Sequence, residues 1–254
     1  MSAESRASAS LGDALPRCVA EEREKAKTAA ARFAAEKYVH AGLRLALGTG
    51  STAAHAVRAI RERFPDEPFD CVASSPATEE LAGSLGLKVR PLAADDRFDL
   101  MVDGADEVAP NLDLTKGGGG ALFREKFLAR LSTQVVILVD PTKIVSALGE
   151  KSPIPVEVVP FAARVLARQL EDDGFAARVR AGRDGRPYVT DNGNQLIDLK
   201  PPSPVDDPLR LHEELRERPG VVETGLFVGL ADRVIVGQPD GRVRELVPPA
   251  KRAG

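Results

Sequence analysis

The sequence predicts an α/β protein: a doubly wound, mostly parallel sheet with a smaller α+β domain attached. Three observations predict it. Short apolar runs alternate with helical patterns between residues 43 and 140, the pattern of parallel strands joined by crossover helices. The proline-rich stretch "SPIPVEVVP" after Lys151 breaks that style, as domain boundaries often do. Beyond it the segments read β-α-β-β-α-β.

Each element follows in order. "EEREKAKTAAARFAAEKYV" (21–39) is rich in Ala, Glu and Lys and reads as a helix, with Gly42 as its stop. "LRLALG" (43–48) is a short apolar strand, and "STAAHAVRAIRERF" (51–64) a helix. "FDCVAS" (69–74) is a second strand, followed by a helix over "ATEELAGSLG" and a strand at "LKVRPL". "FDLMVDGADEV" (98–108) is the strongest strand of the chain. A glycine-rich loop then leads to a helix over 121–131 and a strand at 134–140. In the second half we read a strand (156–159), a helix (161–171), a strand (175–180), a strand (188–199), a helix (207–217) and a strand (221–227). The Asn-Gly in "TDNGNQ" predicts that strand 188–199 bends or splits. "DRVIVGQ" (232–238) returns as a strand to the first sheet. The large domain is therefore Rossmann-like, built from 21–150 and 229–254, and the small one, 151–228, is ferredoxin-like. Residues 1–20 read as a disordered extension.

Composition narrows the function classes. The 35 basic and 38 acidic residues leave a net charge of −3, which argues against a nucleic-acid surface. No apolar run reaches the ~18–20 residues of a membrane span. The N-terminus lacks the apolar core of a secretory signal, and Glu4 and Asp13 count against a transit peptide. Cys18 and Cys71 form no CxxC, which fits a reducing cytosol. His40, His55 and His212 are far apart in sequence and read as surface or packing residues rather than metal ligands. The expected setting is cytoplasmic, with no nucleic-acid or membrane partner.

Ligands of open parallel sheets sit at the carboxyl ends of the strands, and three loops there carry unusual residues. "LGTGSTA" (47–53) follows a strand and opens a helix. Its glycines, Ser51, Thr52 and the helix N-terminus make a phosphate cradle. It also matches a dinucleotide fingerprint, but the next strand ends in Ser74 and Ser75, and its one acid, Asp70, lies at its start. "VDGADE" (102–107) delivers Asp103, Asp106 and Glu107 at a strand end. Such a cluster suits metal binding, hydroxyl binding, proton transfer or a solvated turn. A metal would compete with Lys116, ten residues beyond Asp106.

The third loop is "KGGGG" (116–120). It brings an ammonium and bare backbone to the cleft. In the helix that follows, Phe123, Phe127, Leu128 and Leu131 read as one apolar stripe, and Glu125 falls off it. The helix dipole favours the charged form of Glu125. A phosphate cradle, carboxylates, a lysine and a free glutamate suit proton abstraction beside a carbonyl, through an enediolate.

"GTGST", "DGADE", "KGGGGAL" with "REK" after it, and "PVEVVP" resemble type A ribose-5-phosphate isomerase, in order and at compatible spacings from about residue 21 onward. The resemblance implies an α/β large domain, a small βαββαβ domain and a homodimer or homotetramer. It implies interconversion of ribose 5-phosphate and ribulose 5-phosphate in the non-oxidative pentose phosphate pathway, without metal or other cofactor. It further implies that Glu125 carries the proton between C1 and C2. Thr49, Gly50, Ser51 and Thr52 line the ligand site, with Asp103, Gly104, Ala105 and Asp106 as a second loop and Asp103 opening the ring. Lys116, Gly117, Gly118 and Gly119 form a third loop, Lys116 steadying the enediolate, and Lys143 lies near the phosphate. A basic residue in the first helix belongs to the pattern. Lys25 and Lys27 both compete for it, since the exact register falls on Thr28. The rival reading is a non-catalytic sugar-phosphate sensor, which would not need Glu125 and Lys116 together.

Overall fold

The computed structural model describes residues 11–248, with side chains from Val19 onward. Along the chain, α1 (Leu11–Tyr38) leads to β1 (Arg44–Leu47), α2 (Ser51–Arg63), β2 (Asp70–Ala73) and α3 (Pro76–Ser84). Then come β3 (Phe98–Gly104), the two-residue strands β4 (Glu107–Val108) and β5 (Leu114–Thr115), α4 (Leu122–Arg130) and β6 (Ser132–Val139). The second half contains β7 (Ile154–Val158), α5 (Ala163–Asp172), β8 (Ala176–Val179), β9 (Gln195–Lys200), α6 (Pro208–Arg216) and β10 (Val221–Thr224). It closes with β11 (Leu226–Phe227), β12 (Arg233–Gly237) and β13 (Val243–Leu246).

The main sheet runs β13-β12-β6-β3-β1-β2 and is parallel except for β13. From β1 the chain moves out to β2, then crosses back to place β3 on the other side of β1. That reversal opens a crevice beyond the carboxyl ends of β1 and β3, where doubly wound sheets bind ligands. Alternation sorts the strand residues between two layers. Leu45 and Leu47 join Ala30, Ala34, Val57 and Ile60 on the α1/α2 face. Ala46 joins Met101, Leu122, Leu128 and Phe227 on the α4 face.

The small sheet runs β10-β7-β9-β8, all antiparallel, the strand order of a ferredoxin-like βαββαβ unit. Ile154, Val156 and Val158 face Leu166, Leu170 and Leu215 there. A third sheet has three short strands in the order β11-β5-β4.

Several sequence expectations need correction. The first helix begins at Leu11, so the second half of the extension predicted as disordered is helical, while residues 1–10 lie outside the described residues. "LKVRPL" makes a single bridge, Cys71 to Val89, and Arg90 turns back to pair with Asp70 and Asp96. The run 98–108 breaks after Gly104, because Glu107 leaves the main sheet to pair with Thr115. Strand 188–199 keeps only Gln195–Lys200, since 190–194 forms the turn that Asn-Gly predicts. Strand 221–227 divides between two sheets at Gly225. In α4 the buried residues are Leu122, Glu125, Lys126, Leu128 and Ala129. Phe123 and Phe127 instead stack on each other outside, with Phe127 47% exposed.

Candidate active site

The crevice holds a cleft of about 170 Å³. All three loops reach it, and its floor is the N-terminus of α2. Gly50 precedes that helix with φ 102, and no side chain caps it. The first-turn amides of a helix have no partner within the helix. Ser75 and Asp207, by contrast, cap α3 and α6 with their own side chains. The uncapped α2 amides therefore remain for an anion, with the helix dipole behind them.

Cations surround that end. Lys143 reaches the cleft from the short helical turn Pro141–Lys143, which Asp140 caps through Thr142 N–H. Lys27 reaches it from α1 and donates to Ser51 Oγ at 3.0 Å, while Lys25 lines a different groove. Arg23, one turn before Lys27, also lines the cleft. Sequence reasoning missed Arg23, although i and i+4 on one helix face was a usable signal.

The opposite end is buried. Lys116 Nζ donates to Gly104 O at 2.7 Å, and lies 2.8 Å from Asp103 Oδ2 and 3.3 Å from Glu125 Oε2. All three side chains are at most 4% exposed. Asp103 Oδ2 and Glu125 Oε2 receive no aligned hydrogen bond among the described residues, so these two atoms meet Lys116 as ion pairs. Burial pushes the Glu125 carboxyl up to about 8, with the Asp103 and Asp106 charges adding and Lys116 opposing. Burial also raises Asp103, against Lys116. Burial alone would lower Lys116, but the carboxylates outweigh it and hold its ammonium above the ordinary lysine value. The dipole argument for a charged Glu125 is thus overruled by desolvation.

Glycine is required in the 116–120 loop for two reasons. Gly120 has φ +87, and a Cβ there would collide with the Tyr188 ring. A Cβ on Gly118 would come within 2.8 Å of the Asp106 carboxylate, which accepts the Gly118 N–H.

Thr49, Gly50, Ser51, Thr52, Gly104, Ala105, Asp106, Lys116, Gly117, Gly118, Gly119, Glu125 and Lys143 all line the cleft, as the sequence reading expects. Asp103 does not line it. Its Oδ1 accepts from Thr49 N at 3.2 Å and Gly104 N at 2.7 Å, placing the carboxylate behind Lys116. Glu107 also turns away, accepting the amides of Gly149, Lys151 and Ser152. None of the three histidines lines the cleft.

The model of the ribose 5-phosphate isomerase A (phosphoriboisomerase A) family matches residues 70–241. The ribose-5-phosphate isomerase A of Thermomicrobium roseum is 46% identical over 220 residues, covering 86% of this chain and 92% of that one. A solved ribose 5-phosphate isomerase A from Methanocaldococcus jannaschii superposes with a TM-score of 0.80 at 39% identity, over 87% of this chain and 97% of its own. A solved D-ribose-5-phosphate isomerase in complex with phospho-erythronic acid gives 0.82 at 37% identity, over 89% and 99%. With motif order, sheet order and relatives in agreement, the chain belongs to the ribose 5-phosphate isomerase A family.

Proposed function

We propose that the protein interconverts D-ribose 5-phosphate and D-ribulose 5-phosphate with Glu125 carrying the proton between C2 and C1. The isomerisation is the family's reaction. The route of the proton rests on one observation: a buried glutamate, raised to about 8, shares a cleft with an ammonium and an uncapped helix N-terminus.

In this reading the phosphate sits on the α2 amides, with Ser51, Thr52, Lys27, Lys143 and Arg23 around it. Anchoring there sets C1 and C2 of the open-chain sugar against Glu125. Glu125 removes the proton from C2, and the electron pair moves toward the carbonyl oxygen on C1. Lys116 holds that oxygen as it becomes anionic. The C2 hydroxyl proton passes to the C1 oxygen, and Glu125 returns its proton to C1, which leaves a ketone at C2 and a hydroxyl at C1. Asp106, whose carboxylate lines the cleft, is suited to the proton transfers of ring opening. Asp103 keeps Lys116 charged and in place rather than touching the sugar. The solved relative in complex with phospho-erythronic acid supports a phosphorylated sugar chain as the ligand class. A half-exposed Phe127 stacked on Phe123 and a fully exposed Phe161 support self-association.

The test is ketose formation from ribose 5-phosphate in EDTA, with Glu125→Gln alongside. Loss of a general base predicts a fall of about 10²–10⁴ in kcat. A wild type that binds the sugar phosphate without turnover would instead make the protein a sensor.

A further inference from the structure

Arg180 directly follows β8, outside every motif that the reaction uses. Its guanidinium donates from Nη1 to Gly117 O at 3.1 Å and to Gly118 O at 3.0 Å. Its Nε and Nη2 edge is held by Asp198 of β9, and its plane lies over the Tyr188 ring, 5.9 Å from the centroid. Tyr188 in turn donates its hydroxyl to Gly119 O at 3.3 Å. Three consecutive carbonyls of the glycine loop are therefore held from the β8–β9 hairpin.

A peptide unit is planar and trans, so fixing a carbonyl fixes the next N–H in the opposite direction. Arg180 on Gly117 O sets the Gly118 N–H, which donates to Asp106 Oδ2 at 2.8 Å. Arg180 on Gly118 O sets the Gly119 N–H, directed away from the hairpin, and Gly119 lines the cleft. The same hairpin also holds the helix of the base. Arg124 donates to Asn192 Oδ1 at 2.8 Å and to Asp191 O at 2.7 Å, next to Glu125.

We propose that Arg180, supported by Asp198 and Tyr188, is a positioning residue for the isomerisation. It aims the Gly118 and Gly119 amides so that Asp106 is held and Gly119 N–H faces the reacting oxygens. The proposal deepens the reading of Glu125 and Lys116 above and rests on it. Within the loop Gly120 N–H donates to Gly117 O at 3.0 Å, closing one turn, and the clamp from the hairpin adds the hold on the Gly118 and Gly119 peptides that flexible glycines need.

The experiment is steady-state kinetics of Arg180→Ala and Tyr188→Phe, with inhibition by inorganic phosphate and rescue by guanidinium ion. Misplacement of the amides predicts that Arg180→Ala loses about 10²-fold in kcat. KM and the phosphate inhibition constant stay within about threefold, because the cradle on α2 is untouched. Guanidinium at millimolar concentration restores part of kcat by refilling the space between Asp198 and the two carbonyls. Tyr188→Phe, which removes one neutral hydrogen bond, loses about threefold to tenfold. Unchanged kcat in Arg180→Ala overturns the proposal. So does a loss that guanidinium does not rescue and that follows a fall in Tm. Glu125→Gln separates the two readings: if it stays active the site assignment fails, and if it is dead while Arg180→Ala is normal, only the clamp fails.

Discussion

Glu125 and Lys126 are neighbours in sequence, both buried, both ion-paired and both displaced to about 8 by burial, yet they belong to different regions. Glu125 opens onto the cleft and faces Lys116 without an aligned hydrogen bond. Lys126 points toward the small sheet, where it donates to Glu223 Oε1 and Thr224 O, both at 2.7 Å. Phe227 lies between the two regions, with Lys116 Nζ 5.5 Å and Lys126 Nζ 4.9 Å from its ring centroid. A perturbed buried charge is therefore no sufficient mark of chemistry here. What separates the two is access to a cleft and the absence of saturating hydrogen bonds on Glu125, the group we propose exchanges a proton.

The largest break in the comparison is Lys116→Met. On the cleft side it removes the ammonium that opposes two buried carboxylates. A fall in kcat of about 10²–10³ is expected, the size of losing a main oxyanion donor. The pH profile sharpens the result. Lys116 lowers Glu125, so without it the pH at which the base ionises must rise. An acid limb of kcat/KM that stays in place or moves down would show that Lys116 does not face Glu125 in the working enzyme.

Lys126→Met is the matching change on the other side. It leaves Glu223 without its ammonium, though Glu223 keeps the Thr224 N–H and is partly exposed. Breaking a fully buried pair costs about 3–5 kcal/mol, so about 2 kcal/mol is expected here, measured by urea unfolding. Turnover per folded molecule should stay within about threefold. A loss of kcat as deep as that of Lys116→Met would erase the distinction drawn between the two regions.

That distinction was only partly legible in the sequence. The loop motifs placed the cradle and the Asp106, Lys116 and Glu125 groups in one cleft, because strand-end loops converge whatever the packing. The mostly parallel large sheet and the βαββαβ small domain followed from segment alternation. Burial of individual side chains did not follow. Phe123 and Phe127 read as core, yet the helix turns Lys126 inward because Glu223, 97 residues away, is there to receive it. Asp103 read as a substrate residue, but its distance behind Lys116 depends on Gly48, where any Cβ would meet the Asp103 carboxyl. Arg180 carried no motif at all, since the groups it positions are the backbone carbonyls of Gly117 and Gly118, which leave no trace in residue type.

The smallest effect is also the one that separates the two neighbours by sign. Glu125 binds its proton more tightly folded than unfolded, with the folded value at about 8 against an ordinary 4.5. Its contribution to stability is fully present below the unfolded value and is lost as pH rises through the folded one. Lys126 has the reverse shift, about 8 folded against 10.5. Between those values the unfolded chain binds the extra proton, so stability rises with pH there. Tm measured against pH should therefore show a descending contribution that Glu125→Gln removes between about 4.5 and 8, and an ascending one that Lys126→Met removes above about 8. If Glu125→Gln leaves the lower window unchanged, its carboxyl is not desolvated in the folded protein, and it would lack the driving force that makes it a base near neutrality.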